Sequence, residues 1–144
     1  MNAPIRTAAL VILSMFFLGC HEIRDQAADS HVPGGPETVD YEVMLTRNRG
    51  SLIKLSLGMD KAQVMNTMGT FQGKDGDVIV PNPSKSEMMT KGTDTFELLF
   101  YMTEHYPPFN HIRDSQATPV VLKNGKVTGW GWGMANEVAP ANRQ

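Results

Sequence analysis

Tyr41, Met44, Leu45, Leu52 and Leu55, with Asn48 among them, recur at spacings of three and four. That period puts them on one face of a helix and predicts one over residues 39–55. Thr38 or Asp40 can cap its N-terminus, and Gly50 is expected to split off a short second turn. A second helix is predicted over residues 61–68. Asp60 and Gln63 form a D-x-x-Q capping box before it, Val64, Met65 and Met68 line one side, and Gly69 stands where a glycine stop belongs. Two turns are marginal in isolation, so packing has to hold this helix.

Beyond Gly69 the period changes. Asp77-Val78-Ile79-Val80 predicts a short strand ended by Pro81 and Pro83. Residues 82–94 read as polar and turn-rich, with Met88 and Met89 free to dock on the domain. Residues 95–103, with Phe96, Leu98, Leu99, Phe100, Tyr101 and Met102, predict a well-buried strand that Tyr106-Pro107-Pro108-Phe109 breaks into a loop. Two apolar runs, 118–123 and 126–132, flank Asn124-Gly125. Asn-Gly is the strongest short hairpin signal, because a type I′ turn needs two residues at positive φ. The tail from Met134 is expected to fray. The order implies an α+β fold, two short N-terminal helices packed on a three- to four-stranded antiparallel sheet as a two-layer sandwich. No parallel βαβ signature and no internal repeat is apparent.

The start of the chain reads differently. Arg6 supplies a short positive region, and an apolar run from Ala8 to Gly19 ends at Cys20. Twelve helical residues span about 18 Å at about 1.5 Å each, short of a hydrocarbon core of roughly 30 Å. The run therefore suits a signal peptide, residues 1–19, better than a membrane span. Phe17-Leu18-Gly19-Cys20 resembles the bacterial lipobox, which implies cleavage before Cys20 and diacylglycerol on its thiol. An ordinary secretory signal and an uncleaved anchor are the other readings. Residue 21 is His rather than Asp, which by the sorting rule of enteric lipoproteins implies the outer membrane rather than the inner. Residues 20–37 are polar, contain Val32-Pro33-Gly34-Gly35-Pro36 and show no period, as expected of a flexible tether. The domain is thus expected over residues 38–134, with 135–144 as a frayed tail.

Composition narrows the chemistry. The 144 residues are 41% hydrophobic and 19% charged, with a net charge of −2, a globular composition with no basic excess to hold nucleic acid. One cysteine offers neither an internal disulfide nor a zinc cluster. His105 and His111 with Glu104 and Asp114 are the nearest approach to a metal site, but two histidines in a loop are more often surface residues. Glu97 and Glu104 imply no carboxylate pair, no serine sits in G-x-S-x-G or S-x-x-K, and Gly73-Lys74-Asp75-Gly76 reads as a solvated turn. No catalytic residue, metal ligand, cofactor or small-molecule substrate is expected, and Arg47 and Arg49 read as ordinary surface charges. Gly129-Trp130-Gly131-Trp132-Gly133 is the most unusual local feature. As a strand it would put both indoles on one face, available to the core, which is preferred, or to an interface.

Leu57-Gly58-Met59-Asp60-Lys61-Ala62-Gln63-Val64 with Met68-Gly69-Thr70 resembles the "GMTxxQV…LGTP" motif of the SmpA/OmlA (BamE-like) outer-membrane lipoproteins. Asp60 replaces a capping Thr, and Phe71 stands where that family has proline. Leu99-Phe100-Tyr101, Thr118-Pro119-Val120-Val121 and Gly125-Lys126-Val127 with Gly129-Trp130-Gly131 look like an uncharacterised sub-family with a C-terminal hairpin. The resemblance implies a non-enzymatic, periplasm-facing lipoprotein anchored in the membrane through Cys20. Its domain would bind an envelope protein in outer-membrane protein assembly or envelope maintenance. Trp130, Trp132, Tyr101, Tyr106 and Phe109 are the candidate contact residues. A periplasmic inhibitor or ligand-binding module acting on a soluble envelope enzyme is the alternative.

Overall fold

The structure, a computed structural model, describes residues 35–105 and 113–139. Along the chain it places β1 (Glu37–Asp40), α1 (Tyr41–Leu52), α2 (Lys61–Met68), β2 (Phe71–Asp75), β3 (Val78–Pro81), β4 (Lys85–Lys91) and β5 (Asp94–Met102). A 3₁₀ turn (Asp114–Gln116), β6 (Ala117–Lys123), β7 (Lys126–Trp130) and α3 (Trp132–Val138) complete it. The class is α+β. An antiparallel sheet of order β4-β5-β6-β7 is joined by a three-stranded sheet, β1-β2-β3, in which β1 and β2 run parallel. No described helix is long and apolar enough to cross a membrane.

Two helices form in the expected region, but α1 spans Tyr41–Leu52 rather than 39–55, because Val39 and Asp40 belong to β1. The Asp40 side chain accepts from the Glu42 N–H and caps α1. Gly50 does not end this helix, which runs on to Leu52, and bonds from Lys54 and Leu55 N–H to Ser51 and Leu52 carbonyls add one more turn. Burial of Leu52 and Leu55 compensates for the glycine. At α2 both capping-box bonds are present at 2.9 Å, and Gly69 ends the helix at φ 82° with its N–H on the Met65 carbonyl.

The strands form two sheets rather than the single one expected, and the fold departs from expectation in four further places. β1 precedes the helices and pairs in parallel with β2, so α1 and α2 form a crossover that the sequence did not advertise. β4 occupies part of the segment read as turns. β2 includes Gly73, Lys74 and Asp75, read as a solvated turn, although the two-residue turn itself is Gly76-Asp77. Residues 134–138, expected to fray, are helical in α3. β1, β2 and β4 are short or solvent-facing strands whose composition carries little of the apolar alternation that marks a half-buried strand.

The core has two halves, one on each face of β5. On one side Phe96, Leu98, Phe100 and Met102 pack with Ala117 and Val121 beneath Tyr41, Met44, Leu45, Phe71, Val80 and Ala135. On the other, Leu99 and Tyr101 pack with Val120, Leu122 and Val127 beneath Leu52, Leu55, Val64 and Met68. Helix α1 feeds both halves, its first turns one and Leu52 the other. Between them Asn48, fully buried, donates to the Met102 carbonyl at 2.8 Å and to Asn82 Oδ1 at 3.0 Å. Asn82 in turn donates to the Gly69 carbonyl at 3.1 Å.

Helix α1 lies so close to β2 that a Cβ on Gly73 would meet Met44 Sδ at 2.3 Å. Gly73→Ala is expected to cost roughly 1–3 kcal/mol by overpacking. Gly50, with nothing within 4 Å of its virtual Cβ, should behave oppositely, Gly50→Ala gaining about 0.5–1 kcal/mol of helix propensity. Urea unfolding of the two variants checks both signs, and equal effects would contradict the α1–β2 contact.

Candidate functional site

The candidate contact residues do not come together. Tyr101 is fully buried in the core half beneath α2. Its hydroxyl donates to Met65 Sδ at 3.5 Å, and burial, with the Glu97 charge second, pushes its ionisation well above the ordinary tyrosine range. It is a packing residue rather than a contact. Trp132 opens α3, packs against the opposite half of the core, and donates its indole N–H to the Ala117 carbonyl at 2.9 Å. Trp130 ends β7 and is 36% exposed. Cys20, Tyr106, Phe109 and His111 lie outside the described residues.

The two indoles sit on opposite sides of the sheet, contrary to simple alternation. A bulge in β7 places Leu122 opposite Val127 but Val121 opposite Gly129, so Thr128 is the extra residue. One inserted residue moves every later side chain to the other face. Trp130 therefore shares a face with Val120 and Val127, while Gly131, at φ 89°, turns the chain into α3 and carries Trp132 away.

His105 stands edge-on to the Tyr41 ring and pairs with the Glu42 carboxylate. Glu97 is held by Lys61 at 2.6 Å, and Arg47 by Glu37 through two 3.0 Å bonds. Among the described residues no group of three or more His, Cys, Asp or Glu is placed to hold a metal.

Two surfaces remain. The first is an open cleft of about 250 Å³ where β3 approaches the start of β6. Ile79, Pro81, Met102 and Ala117 give it apolar walls, and Lys85, Arg113 and Asp114 a charged rim. Lys85 is fixed between Asp114 at 2.7 Å and Glu87 at 2.6 Å, bonds that raise its pKa in that order and keep it cationic. The ammonium also lies 5.1 Å from the centre of the Phe100 ring. β3 is the last strand of its sheet, so its outer edge borders this cleft. No local pattern marks the cleft, because its walls come from residues between 79 and 117 that only strand pairing brings together. The hairpin signal Gly76-Asp77, with Gly at the first loop position, was the available clue.

The second surface is the connection between α1 and α2. Ile53 is 82% and Leu57 70% exposed, beside buried Leu52 and Leu55. Gly58 and Met59 exchange backbone bonds of 2.8 Å with Val127, and Asp60 bridges to Lys126. This segment thereby closes the outer edge of β7. Running antiparallel to it, the chain carries Leu57 toward the Trp130 end. Ile53 and Leu57 fall off the helical period, which is how the sequence marks them.

Iodide should quench the exposed Trp130 more steeply than the half-buried Trp132. Stern–Volmer slopes are thus expected to be shallower in Trp130→Phe than in Trp132→Phe. Trp132→Phe is also expected to cost about 1 kcal/mol, because the Ala117 carbonyl loses its donor.

No curated protein and no solved structure matches the chain. A family model described as "Protein of unknown function (DUF3192)" matches residues 26–137, and the chain belongs to that family.

Proposed function

We propose that this protein is an outer-membrane lipoprotein, anchored through Cys20 and facing the periplasm, whose α+β domain is a non-enzymatic module that binds another envelope protein. The cleft beside β3 carries the reading. An extended peptide laid along a bare strand edge gains backbone hydrogen bonds, and an adjoining apolar pocket selects one of its side chains. Here the edge is β3, the pocket is walled by Ile79, Met102 and Ala117, and Arg113 at the rim suits a partner segment bearing a carboxylate. The likeness to SmpA/OmlA lipoproteins supplies the context, assembly or upkeep of outer-membrane proteins. It is an analogy of fold and address, not of site.

Cross-linking in intact cells followed by capture of the tagged protein tests this. Wild type is expected to recover barrel-assembly components. Cys20→Ser is expected to lose them together with the membrane fraction. Ile79→Asp and Arg113→Glu are expected to reduce recovery roughly tenfold while the protein stays at the membrane, as befits residues at the centre of a contact. Recovery of one soluble envelope enzyme, equal with and without Cys20, would overturn the scaffold reading in favour of an inhibitor.

A further inference from the structure

We infer that β4 is an interface between two copies of this chain, which join antiparallel and edge to edge about Met89 so that their four-stranded sheets become one. The inference goes beyond the binding reading and needs neither the β3 cleft nor an anchor at Cys20.

The backbone supplies the first ground. β4 is an end strand of its sheet and seven residues long, while the other end strand, β7, has its outer edge closed by residues 58–60. The Asn124 N–H donates to the Thr95 carbonyl at 2.7 Å, so Thr95, Glu97 and Leu99 turn their backbone groups toward β6. Alternation then turns Phe96, Leu98 and Phe100 toward β4, where they face Met89, Glu87 and Lys85. Ser86, Met88 and Thr90 are left with N–H and C=O directed outward. Among the described residues none of these groups has a hydrogen-bond partner. Met88, 70% exposed, stands at the middle of this edge.

Charge decides what the edge accepts. Lysines commonly deter pairing at an open edge, and β4 carries one at each end, Lys85 and Lys91. Two copies related by a two-fold axis across the sheet meet antiparallel, each presenting the same strand to the other. With outward groups face to face, the axis can pass beside Glu87, Met88 or Met89 and still pair most of the strand. Beside Glu87, that carboxylate meets its own copy. Beside Met88, Lys85 of one copy meets Lys91 of the other. Beside Met89, Glu87 meets Lys91, and symmetry repeats the contact. Directly opposed side chains have Cβ atoms about 4.5–5.5 Å apart, close enough for opposite charges to attract and like charges to repel. The Met89 register alone is attractive. Lys91 makes no ion pair among the described residues, its ammonium resting on the Glu137 carbonyl at 3.0 Å. Glu87 holds Lys85 at 2.6 Å through Oε1, and a carboxylate can accept from a second cation as well. A foreign strand would have to bring an acid and a base in this order, whereas β4 already carries both.

The same register accounts for the apolar side chains. Met89 packs against one half of the core, and across the axis it faces Met89 of the second copy, which extends that core through the junction. On the other face Met88 lies against Thr90. These two residues exchange both their backbone bonds, and symmetry repeats the exchange. Lys85, on the rim of the cleft beside β3, falls outside the paired residues.

Disulfide trapping of the full chain in intact cells tests the register. Opposed residues of a non-hydrogen-bonded pair have Cα atoms about 4.5 Å apart, within reach of a disulfide. Under mild oxidation Met89→Cys is expected to give a band at twice the chain mass, beyond any from the wild type, whose one thiol is Cys20. Met88→Cys and Glu87→Cys should give about tenfold less. Lys91→Glu in the Met89→Cys chain should lower the yield about tenfold, and Glu87→Lys/Lys91→Glu should bring it back. Thr90→Pro removes an outward N–H that β5 does not use and should lower the yield as well. Should a melting curve show that Met89→Cys does not fold, Met88→Cys/Thr90→Cys repeats the test at two exposed positions. No band from a folded cysteine chain of either design would overturn the inference. So would a stronger band from Met88→Cys or Glu87→Cys alone, a yield indifferent to Lys91→Glu, or trapping of a different protein in place of the second copy.

Discussion

A strand that is apolar on both faces cannot lie on a surface, and β5 is such a strand. Phe96, Leu98, Phe100 and Met102 point one way and Leu99 and Tyr101 the other, all buried. At roughly 1.5–3 kcal/mol for each large side chain fully buried, leaving either face open would forfeit more than a domain of this size has to spare. Most of the remaining elements are covers for those two faces. α2 and the turn after α1 close one, while the start of α1, the small sheet and α3 close the other. The three-stranded sheet is thus less an independent layer than a flap, held through Phe71, Val80 and the close approach of Gly73 to Met44.

Two covers on opposite faces need a joint, and the joint is polar. Asn48 sits on α1 where the helix passes the end of β5, and its amide hydrogens reach the Met102 carbonyl and Asn82. Asn82 passes the connection on to the carbonyl of Gly69 at the end of α2. Hydrogen bonds are directional where apolar contacts are not. The amide relay therefore fixes the angle at which α1 crosses from one core half to the other. Without it the same leucines and methionines could slide along each other at little cost.

How much of this the sequence disclosed follows from where the determinants lie. α2 was legible to the residue because both its ends are set by side chains within one turn, Asp60 with Gln63 and then Gly69. β5 and the Asn124-Gly125 hairpin were legible for the same local reason. β1, β2 and β4 were not, since Glu37–Asp40 or Lys85–Lys91 become strands only through partners supplied elsewhere in the chain. The opening glycines of two further hairpin turns, Gly76 and Gly92, both at positive φ, were the overlooked local evidence. The candidate contacts fared worse. Tyr101 lies in the strand expected to be well buried, and its full burial there leaves it no surface to offer as a contact. The Trp pair was misread because a bulge at Thr128 and a turn at Gly131 each change the facing. Periodicity carries no warning of either.

The same bulge sets Trp130 and the cleft on opposite sides of the sheet. By shifting the facing of β7 at Thr128 it puts Trp130 on the side of Val120, the face covered by α2. The cleft is walled by Met102 and Ala117, which belong to the opposite half of the core. A single sheet therefore separates the Trp130 side from the cleft side. Had β7 run without the bulge, Trp130 would face the side that Gly129 now faces, toward α3. One extra residue in a five-residue strand thus decides which half of the core Trp130 faces.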